Sequence, residues 1–313
     1  MENRVVILGA GISGLMAAQA LRREGIAVTL LDKGHRPGGR MATKPFEGAL
    51  FDYGAQFFTV RHERFAAFQR AWETRGLVKV WGRGFNGAAD GHPRYVGQLG
   101  MNSIPAYLAQ GLDVQTGVKV SRILPGGAGW ILSTDIDETI EAPSLIVTCP
   151  VPQALALFDF PLHPADRQAL ERIEYERCLA LMAVLEQEIE LPEPGAKQVE
   201  GGEPISWIAD NRRKGITQSG HGITIHAGPQ FSFDNWDRDA DTVAAKLLNG
   251  YQATAWKLHR WKYSKPLTQH EARSLRLTAP APLVLAGDAF GEPRVEGAAL
   301  SGLDAAERLL KVL

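Results

Sequence analysis

Four apolar residues in a row, Val5, Val6, Ile7 and Leu8, open the readable pattern of this chain. A continuous run of that length predicts a strand buried on both faces, as in a parallel sheet. The glycine-rich stretch Gly9-Ala10-Gly11-Ile12-Ser13-Gly14 follows at once, and Ile12, Leu15, Ala18 and Leu21 then recur at helical spacing. Gly25 is placed to end that helix. Ile26 to Leu31 forms a second apolar strand that stops at Asp32. Further along, Val118–Ile123, Leu145–Thr148, Leu179–Glu186, Gly222–Ala227 and 254–264 read as strands. Leu191–Pro204 reads as a loop or lid. Asp239 is placed to cap a helix carrying Val243, Leu247 and Tyr251. Near the end, Leu283, Val284 and Leu285 make a short strand before Gly287-Asp288. Glu296-Gly297-Ala298 then opens a helix with Leu300, Leu303, Ala306 and Leu310 on one stripe.

The order strand, GxGxxG, helix, strand, acid is a dinucleotide fingerprint in the context it requires. Gly9 permits the tight turn, Gly11 lets a pyrophosphate approach the backbone, and Gly14 lets helix and strand pack closely. The helix N-terminus offers unpaired N–H groups to phosphate. Asp32 can accept hydrogen bonds from a ribose. Gly126-Gly127-Ala128-Gly129 resembles a second such loop. It lies between two strand patterns, however, and reads as a hairpin turn.

Composition narrows the class. The chain has 313 residues, enough for about two domains. Lys and Arg total 34 against 35 for Asp and Glu, so no bulk charge favours nucleic acid or an anionic membrane. Glycine, at 33 residues, exceeds the usual share of about 7%. The two cysteines, Cys149 and Cys178, form no zinc spacing or disulfide framework, and no HExxH occurs. No metal site is expected. No apolar run reaches the roughly 18 residues of a membrane span. Glu2 and the early glycines argue against a signal peptide, so a cytoplasmic protein is expected.

Three further features point to a flavin. The Arg36-Pro37-Gly38-Gly39-Arg40-Met41 loop can lie along a phosphate chain and offer a guanidinium. Phe51-Asp52-Tyr53-Gly54-Ala55-Gln56-Phe57-Phe58-Thr59 sets small residues beside aromatic ones, which suits a backbone running along a planar ring and equally an aromatic core. The strand ending in Gly287-Asp288 can place a carboxylate on a polyol, and the helix after it can point its positive end at a ring that becomes anionic on reduction.

Together these pieces resemble the FAD-dependent amine oxidase superfamily, and within it the renalase-like proteins. The resemblance rests on GAGISGL, PGGRMAT, FDYGAQFFT, YVGQLGMNSIPAYLA, HRWKY and GDAF…VEGAALSGLDAA. It implies an α/β fold: a Rossmann-like FAD-binding domain and a smaller discontinuous α+β, mixed-sheet substrate domain. The expected division is residues 1–75, 100–158 and 268–313 for FAD, and 76–99 and 159–267 for substrate. By the same resemblance Gly9, Gly11, Ser13 and Gly14 cradle pyrophosphate, Asp32 and Lys33 lie at the ribose, and Gly39, Arg40 and Met41 lie near phosphate. Gly54, Ala55, Gln56 and Phe57 flank the isoalloxazine. Val120 pairs with adenine, Gly287 and Asp288 take the ribityl chain, and Glu296, Gly297 and Ala298 lie near the ring. Many members have Glu where this chain has Asp32. No cysteine stands where a covalent link is expected, so FAD is expected to be non-covalent.

Four tryptophans, Trp207, Trp236, Trp256 and Trp261, fall in the substrate region and suit either a wall around an aromatic substrate or an aromatic core. On strand 254–264, His259, Trp261 and Tyr263 share one face, while Trp256, Leu258, Arg260 and Lys262 share the other. The first face and Gln56 are the catalytic candidates. The resemblance implies oxidation of 2- or 6-dihydro-NAD(P) isomers to NAD(P)+ by hydride transfer to the flavin, with O2 reduced to hydrogen peroxide. Three readings stay open beside it: oxidation of a primary or secondary amine, a flavin-binding sensor or partner module without turnover, and a flavin-free NAD dehydrogenase.

Overall fold

The computed structural model describes residues 4–127, 129–199 and 201–313, so Glu2, Ala128 and Glu200 lie outside the described residues. The chain forms two compact units. The first comprises residues 1–39, 105–174 and 266–313, and the second residues 40–104 and 175–265.

The first unit holds a six-stranded sheet in the order β17-β18-β11-β1-β2-β7. Its strands are β1 (Arg4–Leu8), β2 (Ala27–Asp32), β7 (Asp113–Thr116), β11 (Ser144–Val147), β17 (Leu275–Arg276) and β18 (Leu283–Leu285). All neighbours run parallel except β17 and β18. The run Val5–Leu8 sits between β2 and β11 and is buried throughout, which explains why it is apolar at every position. Strand order departs from β1 in both directions, so the carboxyl end of β1 is a topological switch point, where open α/β sheets bind ligands. Helix α1 (Ile12–Arg23) leaves that point with Ile12, Leu15, Ala18 and Leu21 buried. It ends at Gly25, whose φ of 76° suits glycine and whose N–H donates to Arg22 O. Helix α8 (Val295–Leu310) packs against α1. A three-stranded sheet of β8 (Val120–Gly126), β9 (Gly129–Thr134) and β10 (Thr139–Ala142) completes the unit with α4 (Val151–Leu157) and α5 (Pro164–Glu171). Gly126 pairs with Gly129 in an antiparallel ladder, so this glycine-rich stretch joins a hairpin.

The second unit is built on a five-stranded sheet in the order β13-β14-β15-β12-β16. The strands are β12 (Tyr175–Leu185), β13 (Ala196–Gln198), β14 (Ile205–Asp210), β15 (His221–Ala227) and β16 (Ala253–Pro266). Leu179, Leu181, Ala183, Ile223 and Ile225 form its core with Val243 and Leu247 of α7 (Ala240–Leu247). Two hairpins, β3 (Thr43–Phe46) with β4 (Ala49–Asp52) and β5 (Val78–Gly82) with β6 (Arg94–Gly97), join α2 (Glu63–Thr74) and α6 (Pro229–Asp234). Helix α3 (Ser103–Leu108) carries the chain from one unit's residues to the other's. No helix among the described residues is long and apolar enough to cross a membrane.

Three expectations change. Residues 40–75 and 100–104 cluster with the second unit, where β4 lies on β15 and α2 lies on β5, and residues 159–174, with α5 against α4, cluster with the first. The stretch Leu191–Pro204 contains strand β13, whose single buried apolar residue, Ala196, is too little for a period-two pattern. The helix capped by Asp239 stops at Leu247, ahead of Gly250 with φ 87°, so Tyr251 lies beyond it. The cap itself forms, with Asp239 Oδ1 accepting from Thr242 N–H at 2.8 Å.

Candidate functional site

In the first unit the β1–α1 turn has the form of an anion cradle. Gly9 has φ 107°, and a Cβ at Gly14 would stand 2.0 Å from Gly9 O. Helix and turn therefore touch at backbone distance. Gly11 differs, because a Cβ there meets nothing within 4 Å. The space beside it is open, and no side chain caps the N-terminus of α1. Ser13, 4% exposed, has a buried hydroxyl without a hydrogen-bond partner. An orphaned hydroxyl in the first turn of a helix, beside a glycine with open space, fits a bound phosphate chain.

Asp32 ends β2 as expected. Its Oδ2 accepts from Ala10 N–H and its Oδ1 from Gly34 N–H, both at 2.7 Å. The shorter acid thus ties the glycine turn to the next loop, and each oxygen keeps a second lone pair for a ribose. Lys33 beside it is exposed. Gly38 N–H donates to Ala10 O at 2.9 Å, and Gly39 has φ 52°. Val120 of β8 pairs with Thr134 of β9. At the end of β18, Gly287 has φ 141° and its N–H donates to Ser301 Oγ of α8 at 2.8 Å. Asp288 is half-buried. Glu296 is 2% exposed in the first turn of α8, followed by buried Gly297 and Ala298.

In the second unit, Arg40 donates to Tyr263 O and Ser264 O at 3.3 Å, and its own carbonyl accepts from Ala55 N–H at 2.8 Å. A Cβ at Gly54 would lie 2.1 Å from that carbonyl, so only glycine fits. Met41 is buried and Phe57 half-buried. Gln56 is 6% exposed, and its amide points inward, donating to Asp52 O at 2.5 Å and Gly54 O at 3.2 Å.

Three rings form one cluster. Tyr53 stacks on Trp261 at 5.2 Å and meets His259 edge-on at 4.9 Å, and His259 lies 4.2 Å from Trp261. Trp261 Nε1 donates to Tyr53 O at 2.8 Å, which locks strand to turn. Burial and the neighbouring Lys44 ammonium push His259 down to about 4, so its imidazole is neutral at physiological pH. Tyr263 is outside this cluster and packs on Tyr175 at 5.6 Å. It shares the face but sits four residues, about 13 Å, beyond His259, too far for one tyrosine to bridge. Lys262 is exposed.

The four tryptophans do not build one wall. Trp207 packs with Trp81, Phe85 and Phe57, Trp236 lies under Arg177, and Trp256 packs on the sheet core, leaving Trp261 with Tyr53 and His259. Alternation along β16 sends Trp256 and Trp261 to opposite faces, while Trp207 stands on β14 and Trp236 follows α6.

Sequence reasoning missed a buried charge pair. Lys214 Nζ lies 2.8 Å from Asp52 Oδ2, and both side chains are fully buried. Asp52 stands in the FDYGAQFFT motif, but Lys214 follows Asn211-Arg212-Arg213, where nothing in the sequence sets it apart. His226, on β15, places Nε2 3.2 Å from Tyr53 O, and burial pushes it down to about 4.

A Rossmann-like NAD(P)-binding domain model matches residues 7–72, and the flavin containing amine oxidoreductase model matches residues 82–310. Hydroxyneurosporene desaturase of Rubrivivax gelatinosus is 48% identical over 59 residues, which are 19% of this chain and 11% of that protein. Putrescine oxidase of Kocuria rosea is 41% identical over 59 residues, 19% and 12% of the two. The chain thus matches about a tenth of the length of these curated relatives. Among solved structures, a protoporphyrinogen oxidase-like protein of Exiguobacterium sp. 255-15 superposes with a TM-score of 0.74 at 13% identity, covering 99% of each chain. Wild-type putrescine oxidase bound to putrescine gives 0.70 at 16% identity, again over 99% of each. With most of its length matched by the second model, and the glycine turn and ring cluster in place, the chain belongs to the flavin containing amine oxidoreductase family.

Proposed function

We propose that this oxidoreductase binds FAD non-covalently and oxidises a neutral dihydropyridine, a 2- or 6-dihydro isomer of NAD(P), to NAD(P)+. FAD, when bound, supplies the hydride acceptor and passes the electrons to O2 as hydrogen peroxide. Gly9, Gly11, Ser13 and Gly14 would hold its pyrophosphate, Asp32 its ribose and Asp288 its ribityl chain, while Gly54, Ala55 and Phe57 would flank its ring. Burial pushes the Cys149 and Cys178 thiols up to about 12, which leaves neither as the thiolate a covalent link needs.

The observation that carries the substrate class is the Tyr53–Trp261–His259 cluster with its uncharged imidazole. Flat rings orient a flat substrate. Loss of hydride turns the substrate ring into a cation, and the faces of Trp261 and Tyr53 attract that charge as it develops. A neutral His259 adds no repulsion. The dihydropyridine nitrogen drives hydride loss by itself, so no protein base is required. The buried carboxylate of Asp52 is already paired with Lys214 and is not offered to an ammonium group.

The test is anaerobic mixing of the yellow protein with chemically prepared dihydro-NAD isomers. Bleaching of the flavin, followed by its return and peroxide release on admitting air, is the expected result. Bleaching by putrescine or benzylamine alone would assign amine oxidation instead. A flavin that none of these reduces would leave a binding module.

A further inference from the structure

We propose that Lys214 is a positioning residue that fixes the turn Tyr53–Phe57 through the side chain of Gln56. The inference rests on the reading that this turn flanks a flavin ring, and it goes beyond that reading by assigning a role to the buried Lys214–Asp52 pair.

The pair is costly to bury. Two charges lose their hydration, and apolar side chains of similar volume often serve stability as well or better. The two charges meet at 2.8 Å, Lys214 Nζ on Asp52 Oδ2. The other oxygen, Oδ1, accepts from Thr43 Oγ1 at 2.5 Å and Met101 N–H at 2.8 Å, so the carboxylate is held from two sides. The ammonium also lies 5.0 Å from the centre of the Trp81 ring. Enclosed in this way, the Lys214 side chain has no exposed surface.

What it does reach is Gln56. Lys214 Nζ donates to Gln56 Oε1 at 3.4 Å. Together with the two carbonyls, that contact selects one of the two amide orientations: oxygen toward the ammonium, nitrogen toward Asp52 O and Gly54 O. Flipped, the amide would set its NH2 against the ammonium and its oxygen against two carbonyls. The selected orientation closes the backbone from Asp52 to Gly54. In that same turn Tyr53 O receives Trp261 Nε1 and His226 Nε2, and Gly54 presses on Arg40 O. One buried cation therefore sets the shape of the segment that carries the ring cluster.

The experiment uses the full chain with FAD dissociation constants and urea unfolding midpoints of Lys214→Met, Asp52→Asn, Gln56→Leu and the doubles. Gln56→Leu is expected to weaken FAD at least tenfold, and Lys214→Met by a similar factor. Lys214→Met/Gln56→Leu should be little worse than either single change, because both interrupt one path. Lys214→Met/Asp52→Asn, which removes both charges and keeps an Oδ1 acceptor for Thr43 and Met101, should recover the unfolding midpoint lost in Lys214→Met while FAD stays weak. A role in stability alone would restore both together, and that result overturns the proposal. So does an unchanged FAD affinity in Gln56→Leu, or simple additivity in the first double. Wild-type protein unable to hold FAD would defeat the functional reading itself. Indifferent variants on an FAD-bound wild type defeat only this inference, whichever substrate is oxidised.

Discussion

Gly302 of α8 lies directly against Ser13 of α1: a Cβ added at Gly302 would stand 2.0 Å from Ser13 O. The two helices meet at backbone distance at the point where α1 begins its glycine turn. Gly302→Ala removes a helix-weakening glycine, which by itself favours folding by about 1 kcal/mol. Overpacking costs about 1–3 kcal/mol and should win, since the clash is with backbone that cannot rotate away. Chemical unfolding should show a lower midpoint for Gly302→Ala and a still lower one for Gly302→Val. A midpoint at or above wild type would mean that the helices part without cost.

Gly11 and Gly14 make a contrasting pair. A Cβ at Gly14 would sit 2.0 Å from Gly9 O, whereas one at Gly11 meets nothing within 4 Å. Gly14→Ala should therefore destabilise the flavin-free protein. Gly11→Val should leave its unfolding midpoint near wild type and abolish yellow colour, because the side chain fills space a pyrophosphate would use. Loss of stability in Gly11→Val, or retained FAD, would remove the turn from the binding site.

Much of the first unit could be read from the chain, because its signals are local. The apolar run Val5–Leu8, the glycines that follow and Asp32 lie within thirty residues, and each has one physical use. The hairpin at Gly126 and the β16 face were legible for the same reason: period two is a property of consecutive residues. The second unit resisted where partners are distant. Lys214 meets Asp52 across 162 positions, and nothing in Asn211-Arg212-Arg213-Lys214 marks the last cation as the fully buried one. Tyr53 joins His259 and Trp261 across some two hundred positions, so a face could be predicted from β16 but not what covers it.

Ser13 offers a test of what the cradle is for. Its hydroxyl is buried and unpartnered in the first turn of α1. An unsatisfied buried hydroxyl costs about 1–3 kcal/mol, so Ser13→Ala should leave the flavin-free protein as stable as wild type or more so. With FAD present the order should reverse: if the hydroxyl donates to a phosphate oxygen, its loss weakens FAD about tenfold, the worth of a charge-assisted hydrogen bond of about 1.5 kcal/mol. Parallel titrations of FAD into both flavin-free proteins would show it. Equal affinities would leave the hydroxyl without a ligand.

His226 and His259 give the fold a dependence on acid whose direction is fixed. Burial pushes each down to about 4, from an ordinary value of 6.5; the Lys214 and Lys44 ammonium groups add to the effect, and the Tyr53 carbonyl partly offsets it at His226. Between those values the unfolded chain binds protons that the folded chain refuses. The stabilising contribution is therefore complete above pH 6.5, declines as pH falls through 6.5, and is exhausted near pH 4, where the folded state also accepts the protons. Unfolding free energies measured from pH 7 to 4.5 should fall more steeply in wild type than in His226→Asn, which keeps a donor toward Tyr53 O without a titrating ring. The same neutrality bears on chemistry. Because His259 carries no charge above about pH 5, the rate of flavin reduction should show no histidine titration between pH 5.5 and 8. A reduction rate that rises or falls tenfold with a midpoint near 6.5, and loses that dependence in His259→Ala, would mean that the imidazole titrates beside the substrate and that the uncharged ring cluster is the wrong description of the site.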